Sequence, residues 1–238
     1  MPRRRRQASP RALAIFGGTA AVLAVAIVLG IVLTGGKSAG PNVPAVGSLT
    51  NALPGASDVQ GMFKGIPQQG MTLGSALAPV SLVEYVDLQC PACRQAETEV
   101  LPDVVTRYVR TGKAKLVLRP LAFVGPDSVR GRDALLAAAR QNRAFDFLQL
   151  LYVNQGTENT GWLSEQMVAQ AAASIPGLRV HDLLTLRHAP GISKLAAQYD
   201  SLARAAGIDS TPTFVVGGTP MVGPSADALA SAIEHALP

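Results

Sequence analysis

Ser81-Leu82-Val83-Glu84-Tyr85-Val86-Asp87, followed three residues on by Cys90-Pro91-Ala92-Cys93, is the stretch on which the reading of this chain turns. The first seven residues are apolar and β-branched, with Pro79 just ahead, and predict a strand. Beyond Cys93, apolar side chains recur at Ala96, Val100, Leu101, Val104, Val105 and Tyr108. That is the buried face of a helix running to about Gly112. The cysteines therefore stand where a strand hands over to a helix. Their i, i+3 spacing brings both sulfurs onto one face, within reach of a disulfide. Free backbone N–H groups and the positive end of the helix dipole favour a thiolate on the first of them. Cys90 is thus expected to be the exposed, low-pKa nucleophile and Cys93 the more buried resolving partner. Pro91 suits the first helical position because it has no N–H to leave unpaired.

Outward from this motif the pattern stays mixed. Lys115-Leu116-Val117-Leu118-Arg119 predicts a second strand, closed by Pro120. Residues 127 to 206 are helical in character, and Ile192, Leu195, Ala196, Tyr199, Leu202, Ala203 and Ala206 mark the last helix, capped by Gly207. Thr213-Phe214-Val215-Val216 predicts a third strand, Met221-Val222 a short fourth, and Ser225 a cap on a final helix. The order β-α-β, helical block, β-β-α is that of an α/β core with a helical insertion. Two duller uses of the cysteines fit the sequence less well. A zinc site needs about four ligands, and His181, His188 and His235 are poorly spaced to complete one. A structural bridge across two intervening residues constrains the unfolded chain little. Redox chemistry is the better use of the pair.

The chain has 238 residues, of which 48% are hydrophobic and only 16% charged, which excludes intrinsic disorder. The net charge of +5 belongs to Arg3, Arg4, Arg5, Arg6 and Arg11, since the other 16 Lys and Arg equal the 16 Asp and Glu. No basic stripe follows, so nucleic acid is not an expected partner. Residues 1–11 are therefore expected as a basic cytoplasmic leader, and 12–34, uncharged and about 34 Å long as a helix, as a transmembrane anchor. A signal peptide also opens on basic residues, but its apolar core is usually about 7–15 residues and ends in a small-x-small site, which is unconvincing after Thr34. The positive-inside rule leaves the rest of the chain outside the cytoplasm. Residues 35–64, rich in Gly, Pro and Ser, are expected as a flexible tether, and 65–238 as the folded domain.

Taken together, Ala78-Pro79-Val80, the strand from Leu82 to Asp87, Cys90-Pro91-Ala92-Cys93, Thr211-Pro212-Thr213-Phe214 and a helical block holding Phe145, Phe147, Leu151, Tyr152 and Gln155 resemble a DsbA-type thioredoxin-fold thiol-disulfide oxidoreductase. The resemblance implies a thioredoxin fold with a helical subdomain inserted at about 125–206, behind a single membrane anchor. It implies no cofactor beyond a redox-active Cys90–Cys93 disulfide and no metal. It makes Pro212 the family's cis-proline, preceded by Thr211, and Glu84 the buried acid below the disulfide, with Lys115 as its charge partner. Protein substrates with free cysteines and a quinone-linked membrane reoxidising protein are the implied partners. Oxidation of secreted or membrane proteins is the implied direction. A reductase or isomerase of the same fold is the near alternative, and a thiol- or metal-binding module the distant one. Strong oxidases of the family often carry His where this chain has Ala92, and Thr211 also occurs in isomerases and reductases of the wider superfamily.

Overall fold

In a computed structural model, residues 43–238 are described, and Val43–Pro238 form one compact unit. The basic leader and the proposed anchor at 12–34 lie outside the described residues. Among those described, no helix is long and apolar enough to cross a membrane.

The core is one six-stranded sheet in the order β1-β2-β4-β3-β5-β6. Its members are β1 (Gln68–Gln69), β2 (Thr72–Leu73), β3 (Val80–Val86), β4 (Ala114–Pro120), β5 (Thr213–Val216) and β6 (Thr219–Val222). The central β3 runs parallel to β4 and antiparallel to β5, with Glu84 opposite Leu118 on one side and Phe214 on the other. The parallel pair needs a crossover, and α2 supplies it. This helix consists of four consecutive segments: Pro91–Gln95, Ala96–Val100, Leu101–Val104 and Val105–Val109. The second and fourth are wide π turns, with Leu101 N–H bonding Ala96 O and Arg110 N–H bonding Val105 O. Pro102 explains the first of them, because it has no N–H to give Thr98 and its ring would strike that carbonyl.

Side-chain alternation along β3 sorts its residues by face. Leu82 and Val86 join the main core with Val104 of α2 and with Leu229 and Ile233 of the final helix α8 (Ala226–Ala236). Tyr85 turns the other way, onto Ala203 and Ile208 at the end of the long helix α7 (Pro190–Ala205). Between β4 and α7 lies the expected helical block: α3 (Pro126–Ala139), α4 (Ala144–Val153), α5 (Glu165–Ala173) and α6 (Val180–Leu186). Its apolar side chains, Phe145, Phe147 and Leu151 among them, are buried in the same core.

The tether expected at 35–64 is corrected from residue 43 onward, and the folded unit begins there rather than at 65. Gly47 N–H donates to Leu178 O at 2.8 Å and Ser48 N–H to Ala173 O at 2.9 Å. A Cβ on Gly47 would lie 2.3 Å from Ile175 O, so only glycine admits this approach. Helix α1 (Ala56–Phe63) then buries Ala56, Val59 and Phe63, and the Phe63 ring meets Phe145 of α4 edge-on at 6.1 Å. From residue 43 onward the expected linker is a strap bound to the helical block, with Gly55 capping α1 at a φ of 79°.

Candidate active site

The two cysteines sit where the strand ends, as the spacing predicts. Cys90 is the N-cap of α2, Pro91 its first residue, and Cys93 N–H points at Cys90 Sγ across 3.4 Å. Cys90 Sγ in turn donates to Thr211 O at 3.3 Å, from the loop that precedes β5. The Thr211–Pro212 peptide is cis, as the resemblance implies. The Thr211 loop thus lies against Cys90 from the start of β5, while Pro91 and Ala92 are exposed at the rim of the site. Ala92 and Pro212 also line a groove of about 450 Å³ that continues along Gln95, Ala96 and Glu99 to the start of α8.

The expectation of an exposed Cys90 needs correcting: it is only 8% accessible, because the Thr211 loop covers its sulfur, and Cys93 is 0% accessible. The two sulfurs are nonetheless strongly unlike. Hydrogen bonding from the Cys93 side chain, then from the Cys93 backbone, Thr211 and the Ala92 backbone, pulls the Cys90 thiol down to about 6 against the opposing effect of burial. Burial first, and the neighbouring Cys90 second, push the Cys93 thiol well above its ordinary value. Two thiols so placed can cycle between a dithiol and a small disulfide ring, with the charge always falling on Cys90.

Two buried acids, Glu84 and Glu97, lie near each other, and like Cys93 both are within electrostatic reach of Tyr152; we call them the floor of the site. Glu84 on β3 is fully buried. Neither of its carboxyl oxygens has a hydrogen-bond partner, and burial followed by the nearby Glu97 drives it well above the usual carboxylate range. Glu97, 3% accessible and also with an unpartnered oxygen, is pushed up to about 8 by burial. The sequence reading missed Glu97, although its i+4 spacing from Cys93 puts both on the inward face of α2. Lys115 does not pair with Glu84. It stands opposite Ser81, three residues back along β3, and its ammonium donates to Ala76 O at 3.0 Å and Ala78 O at 3.4 Å. A one-residue-in-two strand period turns it away from Glu84.

Residues 67–235 match the family described as Thioredoxin. The chain belongs to the thioredoxin family. It is 28% identical over 179 residues to the probable disulfide bond formation protein D of Bacillus cereus, which spans 74% of this chain and 82% of that relative. The oxidised BdbD of Bacillus subtilis superposes with a TM-score of 0.66 at 20% identity, over 72% of this chain and 96% of that one. Chlamydia trachomatis DsbA does so with 0.63 at 23% identity, over 69% and 90%. This thioredoxin-family chain is a thiol-disulfide oxidoreductase of DsbA-like architecture, helical insertion included.

Proposed function

We propose that this chain is a dithiol oxidase working outside the cytoplasm, where it passes the Cys90–Cys93 disulfide to unfolded or partly folded secreted and membrane proteins with free cysteines. The observation that carries this is the unlikeness of the two sulfurs: Cys90 lowered to about 6, Cys93 raised well above the ordinary thiol value. A substrate thiolate attacks Cys90 Sγ and the Cys90–Cys93 bond breaks, its electron pair leaving on Cys93. Cys93 takes up a proton, because its buried site disfavours the anion. A second substrate thiolate then attacks the substrate sulfur of the mixed disulfide, and Cys90 leaves as a thiolate. The substrate has lost two electrons and the cysteine pair has gained them.

The supporting residues take their roles from where they stand. The Ala92 backbone helps hold the Cys90 thiolate, Pro91 starts the helix that presents it, and Thr211 and Pro212 offer the backbone edge along which a substrate strand aligns. Glu84 stores the proton that Cys93 needs. No cofactor beyond the cysteine pair enters this reading. Residues 12–34 hold the domain at the cell membrane as a single-pass anchor, N-terminus inside, next to a quinone-linked membrane protein that restores the disulfide. Redox equilibration of the full chain against glutathione tests the direction. The expected potential lies between thioredoxin's roughly −270 mV and the strongest oxidases' −120 mV or so. A value at or below thioredoxin's makes the protein a reductase and overturns the proposal.

A further inference from the structure

Asp87, three residues before Cys90, is buried completely; its backbone hydrogen-bonds the Cys93 sulfur, while its carboxylate bonds neither cysteine. All its polar groups are spent on the chain around the site. Carboxylate oxygen Oδ1 accepts Gln89 N–H at 2.9 Å and the Ser128 hydroxyl of α3 at 2.7 Å. Oδ2 accepts two consecutive backbone groups of the β4–α3 loop, Phe123 N–H at 2.6 Å and Val124 N–H at 2.9 Å. Its main-chain carbonyl accepts Cys90 N–H at 3.0 Å and the Tyr152 hydroxyl of α4 at 2.9 Å. One residue thus ties the nucleophile's own backbone to three parts of the helical insertion's rim.

The surrounding groups repeat the pattern. Gln155, just past α4, donates to Leu88 O at 3.0 Å and Cys90 O at 3.2 Å. Gln89 donates to Ser128 and accepts Asn159 N–H at 2.9 Å. We infer that Asp87 is the positioning residue for the nucleophile: its four-donor carboxylate sets the loop that places Cys90 under Cys93 N–H and Thr211 O. The inference deepens the proposed function and rests on Cys90 being the nucleophile. The chemistry demands a carboxylate. Each oxygen receives two donors, whereas an asparagine offers one acceptor oxygen and an NH₂ that would confront either the Gln89–Ser128 pair or the Phe123–Val124 pair. An amide therefore leaves buried donors unpaired in either orientation, and the loop must shift to satisfy them.

The direct test is Asp87→Asn in the full chain, read by the pH dependence of Cys90 alkylation in the reduced protein. The groups that set the Cys90 thiolate are Cys93, Thr211 and the Ala92 backbone, and all three act through distances the loop fixes. The expected result is an upward move of the Cys90 midpoint from about 6. A rise of one unit would cut alkylation at pH 6 about fivefold. A variant that is less stable but whose folded fraction titrates as the wild type overturns the inference, because Asp87 would then serve the fold alone. Should Asp87→Asn fail to fold, Ser128→Ala removes one of the four donors from α3 and should move the midpoint in the same direction by less. An unmoved midpoint in a folded Ser128→Ala protein would then be the overturning result. A wild-type Cys90 that titrates together with Cys93 would strike instead at the proposed function, and this inference would fall with it.

Discussion

The rim and the floor of the site, separated by one turn of α2, handle polar groups in opposite ways. On the rim, Asp87 meets four donors, Cys90 is bonded on both sides, and Gln155 and Tyr152 bond the backbone that carries them. On the floor, both oxygens of Glu84 and one oxygen of Glu97 are buried without a partner, and so is Gln149 Oε1. Burial without a partner favours the protonated form of an acid, and both floor acids are raised accordingly. The rim is therefore built to hold the backbone around Cys90 in a fixed geometry. The floor is built to hold neutral acids and a neutral thiol. Each thiol takes the protonation state of the layer it belongs to, although only two residues lie between them.

The sharpest way to break this contrast is to remove one sulfur at a time. Cys93→Ser should leave Cys90 reactive at neutral pH and accumulate mixed disulfides with substrate, since nothing remains to release them. Cys90→Ser should abolish exchange, because Cys93 is buried and stays protonated at pH 7. Non-reducing gels of the two variants after exposure to an unfolded dithiol protein decide it. Trapping through Cys93 in the absence of Cys90 would invert the roles of rim and floor.

A smaller effect separates the two acids of the floor from Asp87 on the rim. Glu97 is ordinarily protonated only below 4.5, but in the folded chain it holds its proton up to about 8. Its folded value is raised, so its neutral form adds no penalty at low pH. As pH climbs from 4.5 towards 8 the unfolded chain releases the proton and the folded one does not. Stability should then fall, by at most about 1.4 kcal/mol per pH unit for each such group. Glu84 is shifted in the same direction, by burial and by Glu97. Glu97→Gln should flatten the decline between pH 5 and 8 in denaturant titrations, and Glu84→Gln combined with it should flatten it further. The Glu84→Gln variant should also slow exchange at neutral pH by up to about a hundredfold, the worth of a positioned proton donor. A pH profile identical to the wild type's would show that these carboxyls are ionised and solvated after all.

How much of this was legible in the sequence follows the same division. Local signals carried far: the period-2 run before Asp87, the helical face after Cys93, and Ser225 as a cap, accepting Ala228 N–H at 3.2 Å, all appear where the pattern puts them. Glu84 is singled out only by the resemblance, which puts a buried acid six residues before Cys90. The misses are long-range. Gly47, Leu53 and Pro54 look like linker residues until distant groups meet them: Gly47 N–H donates to Leu178 O, Leu53 N–H to the Ser174 hydroxyl 121 positions away, and Pro54 O accepts the Asn154 side-chain amide. The edge strands β1 and β2 are two residues each, too short for any period to register. Asp87 read as the last residue of a strand, because its four donors come from a neighbouring loop residue, a distant loop and the insertion. The resemblance offers Lys115 as Glu84's partner, but the register places it opposite Ser81.

The smallest expected effect probes the edge of the rim. Ala92 lies exposed in the groove beside Cys90, and it contributes to the thiolate through its backbone N–H alone. A histidine there would add an imidazolium, whose charge favours the thiolate and with it the reduced state of the pair. The shift must be modest for two physical reasons. The side chain would stand in solvent, where a charge at contact distance is worth about 1 kcal/mol rather than several. Glu99 lines the same groove and competes for the cation. One unit of further lowering at Cys90 corresponds to about 30 mV in a two-electron couple, so Ala92→His should raise the potential by no more than a few tens of mV. The Cys90 alkylation midpoint should fall in step, while the stability slope set by Glu84 and Glu97 stays where it was. A potential that rises without any move in the Cys90 midpoint would mean that the substitution acts on Cys93 and the floor, and the separation of the two layers would fail at that point.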